Sequence, residues 1–176
     1  DNPLASPAKQ EELAQALLLK QTEKYNDQLK QVASARKAAA DQAEREAEAA
    51  AKLRMTMDFQ AKQLLRKEEG FKSKAYWDVN AYRVGYGSDT VTRPDGTTQR
   101  VTANTTVDKA GAERDLSRRI KEFADVVKQQ IGTDRFNKFG AEQQAALVSI
   151  AYNYGELPNR IIGAVKSGTP QAIAAA

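Results

Sequence analysis

The sequence predicts an α+β protein: a mainly helical lobe with a small antiparallel β-hairpin sheet, preceded by one long, coiled-coil-like α-helix. Residues 8–69 contain neither proline nor glycine and consist largely of Ala, Glu, Lys, Gln and Arg, which are strong helix formers. Residues 82–101 are rich in β-branched and aromatic residues and enclose a Pro-Asp-Gly turn, which favours short strands. Beyond residue 105 the apolar residues recur with the helical period of about 3.6.

The composition excludes several kinds of chemistry. The 176 residues include no cysteine and no histidine, so disulfides, thiol chemistry and histidine-based triads are excluded. Carboxylates remain as the acid–base groups, and we expect no cofactor and no metal ion. No apolar run is long enough to span a bilayer, and no signal-peptide pattern opens the chain.

The long helix should begin at Ser6-Pro7, with Ser6 as N-cap and Pro7 at the first helical position. Its apolar residues form a narrow stripe that cannot build a core of its own. We expect it to pair with other helices as a coiled coil or to dock on a larger assembly, and a free, partly frayed helix or linker is the alternative. The predicted domains are a helical anchor, residues 1–56, and a compact lobe, residues 57–176. The stripe comprises Leu13, Leu17, Leu18, Leu19, Tyr25, Leu29, Val32, Ala35 and Ala39.

The first candidate catalytic residue is Glu69, at the predicted end of the long helix. Leu65 and Glu69 are one turn apart and share the face that should pack inward, and Gly70 can end the helix. Burial and the exposed carbonyls of a helix C-terminus both disfavour a charged carboxylate, so the pKa of Glu69 should be raised. A carboxylic acid that keeps its proton near neutral pH can act as a general acid.

The second candidate is Asp78, nine residues further on. It precedes a short turn and a predicted strand, Tyr82 to Gly87, on which Gly85 and Gly87 leave one side bare for a close approach. A carboxylate at a polar turn should stay ionised. Glycoside cleavage needs two carboxyls in such opposed environments. Each carboxylate alone would more often be structural, so the prediction depends on their combination.

This combination resembles the phage-type lysozymes, the glycoside hydrolase family 24 muramidases. The matching residues are Glu69-Gly70, Ala75-Tyr76-Trp77-Asp78 and Val84-Gly85-Tyr86-Gly87. The resemblance implies that Glu69 is the general acid, that Asp78 is the second catalytic carboxylate, and that the substrate is peptidoglycan, cleaved between N-acetylmuramic acid and N-acetylglucosamine.

The chain departs from the family pattern beside the second carboxylate. The family has a catalytic threonine two positions before the first glycine, where this chain has Arg83, and the link from Asp78 is one residue shorter. Ser88 stands where the family often has histidine, and Thr90 or Thr92 could substitute for the missing hydroxyl. Arg83, Ser88 and Thr90 are therefore candidates for positioning water or substrate.

Three further side chains are candidate substrate contacts: Tyr86, Tyr152 and Asn153. For Tyr152 and Asn153, core packing and helix capping are the favoured alternatives.

The rest of the lobe should form a hairpin and several helices. The hairpin of residues 90–101 should join Tyr82–Gly87 in a three-stranded sheet. A helix opened by a capping box at Thr105 should bury one face and keep Asp115, Arg118 and Arg119 mostly on its wet side. Residues 141–154 should form a central buried helix, Pro158 should open the next, and Thr169-Pro170 one more. The buried face comprises Leu116, Ile120, Phe123, Val127 and Ile131.

The same resemblance also implies where the protein acts and what it binds. The chain opens on Asp1 and stops before the last helices of the family, so we expect a fragment or processed chain with a C-terminally incomplete lobe. A long helix joined to such a lobe resembles a virion-associated lysin of a phage tail or ejection apparatus, acting in the host envelope. Its partners would be peptidoglycan and, through the helix, copies of itself or other virion proteins.

Three alternatives remain open. The same fold could act as a lytic transglycosylase, or it could be a catalytically inactive virion structural or glycan-binding module. The basic residues 60–176, with eighteen Lys and Arg against thirteen Asp and Glu, could bind nucleic acid, but no base-reading motif supports specific recognition.

Overall fold

The computed structural model describes residues 6–168, and within them the chain is mainly helical, as predicted. It divides into two compact units, Asp1–Ala50 and Ala51–Ala176. The predicted further helix at Thr169-Pro170 lies outside the described residues. The elements are α1 (Pro7–Glu69), β1 (Lys72–Asp78), β2 (Ala81–Gly85), β3 (Thr90–Thr92), β4 (Thr98–Arg100), α2 (Lys109–Ile131), α3 (Thr133–Asn137), α4 (Ala141–Tyr154) and α5 (Asn159–Ser167).

The long helix α1 is continuous, with 63 residues from Pro7 to Glu69. It begins at the predicted proline, and the carbonyl of Ser6 accepts the first backbone hydrogen bonds from Lys9 and Gln10. It ends where predicted, because Gly70 takes a φ of 64° that stops the helix. In the first unit every described residue is solvent-exposed, including the leucines of the apolar stripe.

In the second unit the last turns of α1 belong to the hydrophobic core. Met57, Ala61 and Leu65 are buried at four-residue steps, and Leu65 is fully inaccessible. The inward face predicted for Leu65 is therefore confirmed. Glu69, one turn later on the same face, comes to the edge of that core.

The strands differ from the three-stranded sheet that the sequence predicted, and that prediction is wrong. The structure has two separate two-stranded antiparallel sheets, β1–β2 and β3–β4. The segment between Gly70 and Asp78, for which the sequence analysis predicted no strand, forms strand β1. Strand β2 stops at Gly85, because Gly85 and Gly87 both take positive φ and form a tight turn closed by hydrogen bonds between Val84 and Ser88.

The register of the first sheet sets the direction of the side chains near Asp78. Tyr76 pairs with Arg83, Trp77 with Tyr82 and Asp78 with Ala81. Directly opposed residues share a face, and residues two apart on a strand do so too. Tyr76, Asp78 and Arg83 therefore lie on one face of the hairpin, and Trp77 and Tyr82 lie on the other.

The helices α2 and α4 form most of the remaining core. The predicted face of α2 is confirmed, with Leu116, Ile120, Val127 and Ile131 buried and Phe123 packed against them. Helix α4 begins and ends at the predicted residues. Pro158 directly precedes α5, as predicted, and Gly168 follows its last residue.

Two details of α2 were predicted wrongly. Asp108, not Thr105, caps the helix, since its carboxylate accepts the Gly111 N–H at 2.7 Å. Asp115 is only 2% exposed, and Arg119 is partly buried, because strand β3 and the residues before it cover this side of the helix.

Candidate active site

Glu69 lies at the C-terminal end of α1 and is half-buried. Burial is the main cause that raises the pKa of its carboxyl above the ordinary value. The charges of Glu68 and Asp78 raise this pKa further, and those of Arg83 and Arg119 oppose the shift. The raised pKa predicted from the sequence is confirmed in direction, and it favours a protonated Glu69 that can donate to a substrate oxygen.

Gly87 provides the surface against which the Glu69 carboxylate rests. A Cβ atom built at Gly87 would come within 2.6 Å of Glu69 Oε2 and 3.3 Å of Cδ. Gly87 also has a φ of 72°, which a residue with a side chain rarely adopts. A side chain at this position would therefore strain the turn and displace the Glu69 carboxylate.

Asp78 ends strand β1 and forms an ion pair with Arg83 of strand β2. Arg83 Nε lies 2.6 Å from Asp78 Oδ2, although its N–H is not aligned as a hydrogen bond. Arg83 Nη1 donates to the Gly87 carbonyl at 3.1 Å. The arginine that replaces the expected threonine thus contacts the second carboxylate and the glycine beside the first.

Tyr76 is a neighbour of both carboxylates that the sequence analysis missed. Burial raises the pKa of its phenol, and the charges of Asp78 and Glu69 raise it further. Its place follows from strand alternation, because Tyr76 and Asp78 are two residues apart on β1. Recognising residues 72–78 as a strand would have placed Tyr76 in the site.

Arg119 is a second missed residue, reaching the site from helix α2. It pairs with Asp89 at 3.0 Å, and its guanidinium lies 4.7 Å from the centre of the Tyr152 ring. Its charge acts to lower the pKa of Glu69. No local signal marks it, because the sequence places it beside other polar residues of α2.

A family model described as phage lysozyme matches residues 66–174, which include both candidate carboxylates and more than half of the chain. The chain belongs to the phage lysozyme family. As a member of this family it is a peptidoglycan-degrading glycoside hydrolase of the lysozyme kind.

The fold agrees with this membership of the phage lysozyme family. The endolysin from Escherichia coli O157:H7 phage FAHEc1 has a similar structure, with a TM-score of 0.52 and 22% sequence identity. The alignment covers 66% of this chain and 70% of that endolysin. No curated protein sequence matches the chain significantly. The predicted lysozyme-like fold is therefore confirmed.

In this phage lysozyme, two of the predicted substrate contacts are buried directly behind the site. Tyr152 is 6% exposed, and its hydroxyl donates to the Tyr86 carbonyl at 2.6 Å. Tyr86 is 4% exposed and donates to Glu113, which also accepts two hydrogen bonds from Arg66. These contacts hold the strand-to-turn segment in place. Asn153, the third predicted contact, is exposed on α4.

Ser88 and Thr90 belong to a polar network beneath the β3 strand. Their hydroxyls are 3.2 Å apart, and Thr90 Oγ1 accepts a hydrogen bond from Arg118 at 2.5 Å. Asp115 accepts from Thr92 at 2.7 Å and from Arg118 at 2.8 Å. The partners of these hydrogen bonds do not include Glu69 or Asp78. A role for Ser88 or Thr90 in positioning water remains a prediction.

Residues 6–168 offer neither an acidic metal site nor a membrane-spanning helix. No cluster of three or more acidic side chains there could hold a metal ion. None of the described helices has the length and apolar character to cross a bilayer.

Proposed function

We propose that this phage lysozyme hydrolyses the bond between N-acetylmuramic acid and N-acetylglucosamine, with Glu69 as general acid and Asp78 as second catalytic carboxylate. The main support is the contrast between the two groups. Glu69 is half-buried with a raised pKa, whereas Asp78 is held by a cation. Asp78 is also close enough for its charge to raise the pKa of Glu69. The raised pKa of Glu69 favours the protonated form that a general acid needs, and Asp78 lies beside a cation in the same site. Glycoside cleavage uses two carboxyls in such different environments.

The proposed reaction consumes one water molecule. Glu69 gives its proton to the glycosidic oxygen as the bond from the sugar C1 to that oxygen breaks. The negative charge of Asp78 stabilises the positive charge that develops on the ring. The hydroxyl of a water molecule then bonds to C1, and the remaining proton of that water restores Glu69, directly or through Asp78.

The neighbouring residue Glu68 offers a matched control for Glu69. Glu69→Gln keeps the shape of the side chain and removes the acid, so release of soluble fragments from purified peptidoglycan should fall by at least about 100-fold. Glu68 is exposed and accepts a hydrogen bond from Ser149, and Glu68→Gln should keep most of the activity. Equal activity in the two variants would contradict the assignment of Glu69.

A second candidate reaction, lytic transglycosylation, is favoured by the contact between Arg83 and Asp78. A carboxylate paired with a guanidinium at 2.6 Å is less available to take a proton from water. In that case the 6-hydroxyl of the muramic acid would attack its own C1, its proton would pass to Glu69, and no water would be consumed. Mass spectrometry of the released muropeptides separates the two, because the anhydro product is lighter by one water.

We further propose that the N-terminal part of α1 anchors the enzyme in a phage virion, as part of the tail or ejection apparatus, by pairing with copies of itself or with other virion helices. The support is the stripe of apolar side chains in the first unit, whose leucine, tyrosine and valine members are all exposed by about half or more. Leu18 is 65% exposed, Tyr25 61% and Val32 49%. Leu18, Tyr25 and Val32 follow one another at seven-residue steps, which is the spacing of a coiled-coil seam.

The anchor can be tested by measuring the mass of the particle in solution as a function of protein concentration. Replacing Leu18 and Val32 together by glutamine should shift the protein toward monomer and leave peptidoglycan cleavage intact. Ser34→Gln, on the opposite side of the helix from Leu18, should leave the assembly unchanged. A wild-type protein that stays monomeric at all concentrations would reject self-pairing, and docking on virion proteins would then have to account for the stripe.

A further inference from the structure

Arg83 makes two contacts at once, and together they span the candidate active site. Its Nε lies 2.6 Å from Asp78 Oδ2, and its Nη1 donates to the carbonyl oxygen of Gly87 at 3.1 Å. The side chain of Arg83 is 27% exposed and that of Asp78 is 44% exposed. The guanidinium is thus partly withdrawn from water and lies between the Asp78 carboxylate and the Gly87 carbonyl.

The local fold explains why an arginine at this position can reach both groups. Arg83 lies on the same face of the hairpin as Asp78, through the pairing of Arg83 with Tyr76. The turn from Val84 to Ser88 is closed by two backbone hydrogen bonds of 2.8 and 3.0 Å, and it folds the Gly87 carbonyl back toward the Arg83 side chain. Arg83 and Gly87 are four residues apart in sequence, and the turn between them brings the Gly87 carbonyl within reach of the Arg83 side chain.

Gly87 connects this arrangement to Glu69. The Glu69 carboxylate rests against the Gly87 backbone, so closely that a methyl group there would meet it at 2.6 Å. Any shift of the Gly87 peptide therefore moves the surface that locates the general acid. Arg83 is bonded to that same peptide, so it acts on Asp78 directly and on Glu69 through Gly87.

We propose that Arg83 is a positioning residue that fixes the two catalytic carboxylates relative to each other, by pairing with Asp78 and holding the Gly87 peptide beneath Glu69. The inference rests on the proposed function for the roles of Glu69 and Asp78. A planar guanidinium can serve two acceptors in fixed directions, whereas a lysine ammonium supplies the charge without that geometry. A threonine is too short to make both contacts.

The two parts of this role, charge and geometry, predict different results for two variants. Arg83→Lys keeps the positive charge and loses the two-point contact, so kcat should fall by roughly 10- to 100-fold with little change in KM. Arg83→Gln also removes the charge that acts to lower the pKa of Glu69. The pKa of Glu69 should then rise, and the alkaline limb of the pH–rate profile should move to higher pH.

The experiment measures kcat, KM and the pH–rate profile on purified peptidoglycan for the wild type, Arg83→Lys and Arg83→Gln, with thermal melting to verify folding. Arg100→Gln serves as the control, because Arg100 is an exposed arginine of a strand in the same unit. The expected result is a kcat loss in both Arg83 variants and an alkaline shift only in Arg83→Gln. Rates equal to those of Arg100→Gln, or losses confined to KM, would overturn the proposal.

A second measurement does not depend on activity. The Glu69 side-chain carboxyl can be titrated by carbon NMR in the same three proteins. Its midpoint should rise in Arg83→Gln and stay near the wild-type value in Arg83→Lys, and an unchanged midpoint in Arg83→Gln would overturn the proposal. If the wild type released no muropeptides, the proposed function would fail, and this titration would still decide whether Arg83 acts on Glu69.

Discussion

Replacing Gly87 by alanine should displace the Glu69 carboxylate and lower kcat strongly, while the free energy of unfolding of the lobe should fall only slightly. The added methyl group would lie 2.6 Å from Glu69 Oε2, whereas ordinary contacts of a Cβ begin near 3.4 Å. The carboxylate must therefore retreat by the difference, about 0.8 Å. Displacing a catalytic group by about 1 Å can lower a rate by about 100-fold. We expect Gly87→Ala to lose roughly 10- to 100-fold in kcat.

The stability effect of the same change is small, because the displaced atoms are the end of a flexible side chain. Most of the lost stability comes from the backbone, since Gly87 has a φ of 72°, and a left-handed conformation costs a residue with a side chain about 1–2 kcal/mol. A loss of about 1 kcal/mol lowers the melting temperature of a chain of this size by about 2–4 °C. The variant should remain folded at room temperature.

Gly96 provides the matched control for this experiment. Its φ is 85°, and a Cβ there would meet nothing within 4 Å. Gly96→Ala should therefore lose similar stability and keep full activity. Turbidity clearing of peptidoglycan suspensions and thermal melting measure both properties in each variant. If the rate of Gly87→Ala were within about twofold of that of Gly96→Ala, the argument that Gly87 seats the general acid would be refuted.

Three further predictions concern stability. The raised pKa of Glu69 means that the folded state binds this proton more tightly than the unfolded state, so stability falls as pH rises through the shifted pKa. Glu69→Gln should therefore be more stable than the wild type at neutral pH in denaturant titrations, and the gain should vanish below the ordinary carboxyl range. Asp115→Ala should lower the free energy of unfolding by about 1–3 kcal/mol, because Thr92 and Arg118 lose their buried acceptor and Glu122 is then the one ion-pair partner left to Arg118 among the described residues, whereas Asp125→Ala at an exposed pair should change it by less than about 1 kcal/mol. Val79→Gly should raise the melting temperature, since Val79 is 88% exposed with a φ of 49°, and relieving that conformation should gain about 1 kcal/mol; a lower melting temperature would contradict the strain.

The sequence predicts the helices well because their signals are local. Proline begins α1 and precedes α5, and Gly70, Gly132 and Gly168 follow the last residues of their helices. The prediction of Glu69 depends on such a local signal too, since Leu65 and the following glycine together define a half-buried helix end.

The strands were harder to predict because their stability comes from distant partners. Strand β1 contains two exposed lysines and does not alternate, and its pairing is irregular between Lys72 and Tyr76. It is held on one side by β2 and on the other by backbone hydrogen bonds to Thr105 and Val107. Strand β1 meets these partners only when the whole lobe folds, so no local sequence pattern predicts them.

Distant partners also explain why two polar residues of α2, Asp115 and Arg119, were wrongly predicted to be exposed. On a helical pattern, Asp115 and Arg119 belong to a wet face. In the structure, Thr92 and Asp89 approach that face and give both residues hydrogen-bonding partners. Partners of this kind remove the penalty of burying a charge, but they become visible only once the chain is folded.

The central claim is that burial beside Asp78 raises the pKa of the Glu69 carboxyl and so favours the protonated form that a general acid needs. The most direct test is the carbon NMR titration of the Glu69 carboxyl in the wild-type protein, compared with the alkaline limb of its pH–rate profile. We predict a pKa above the ordinary glutamate range and a midpoint that coincides with the loss of activity. A Glu69 that titrates at the ordinary value, or an activity that persists well above its midpoint, would contradict the claim.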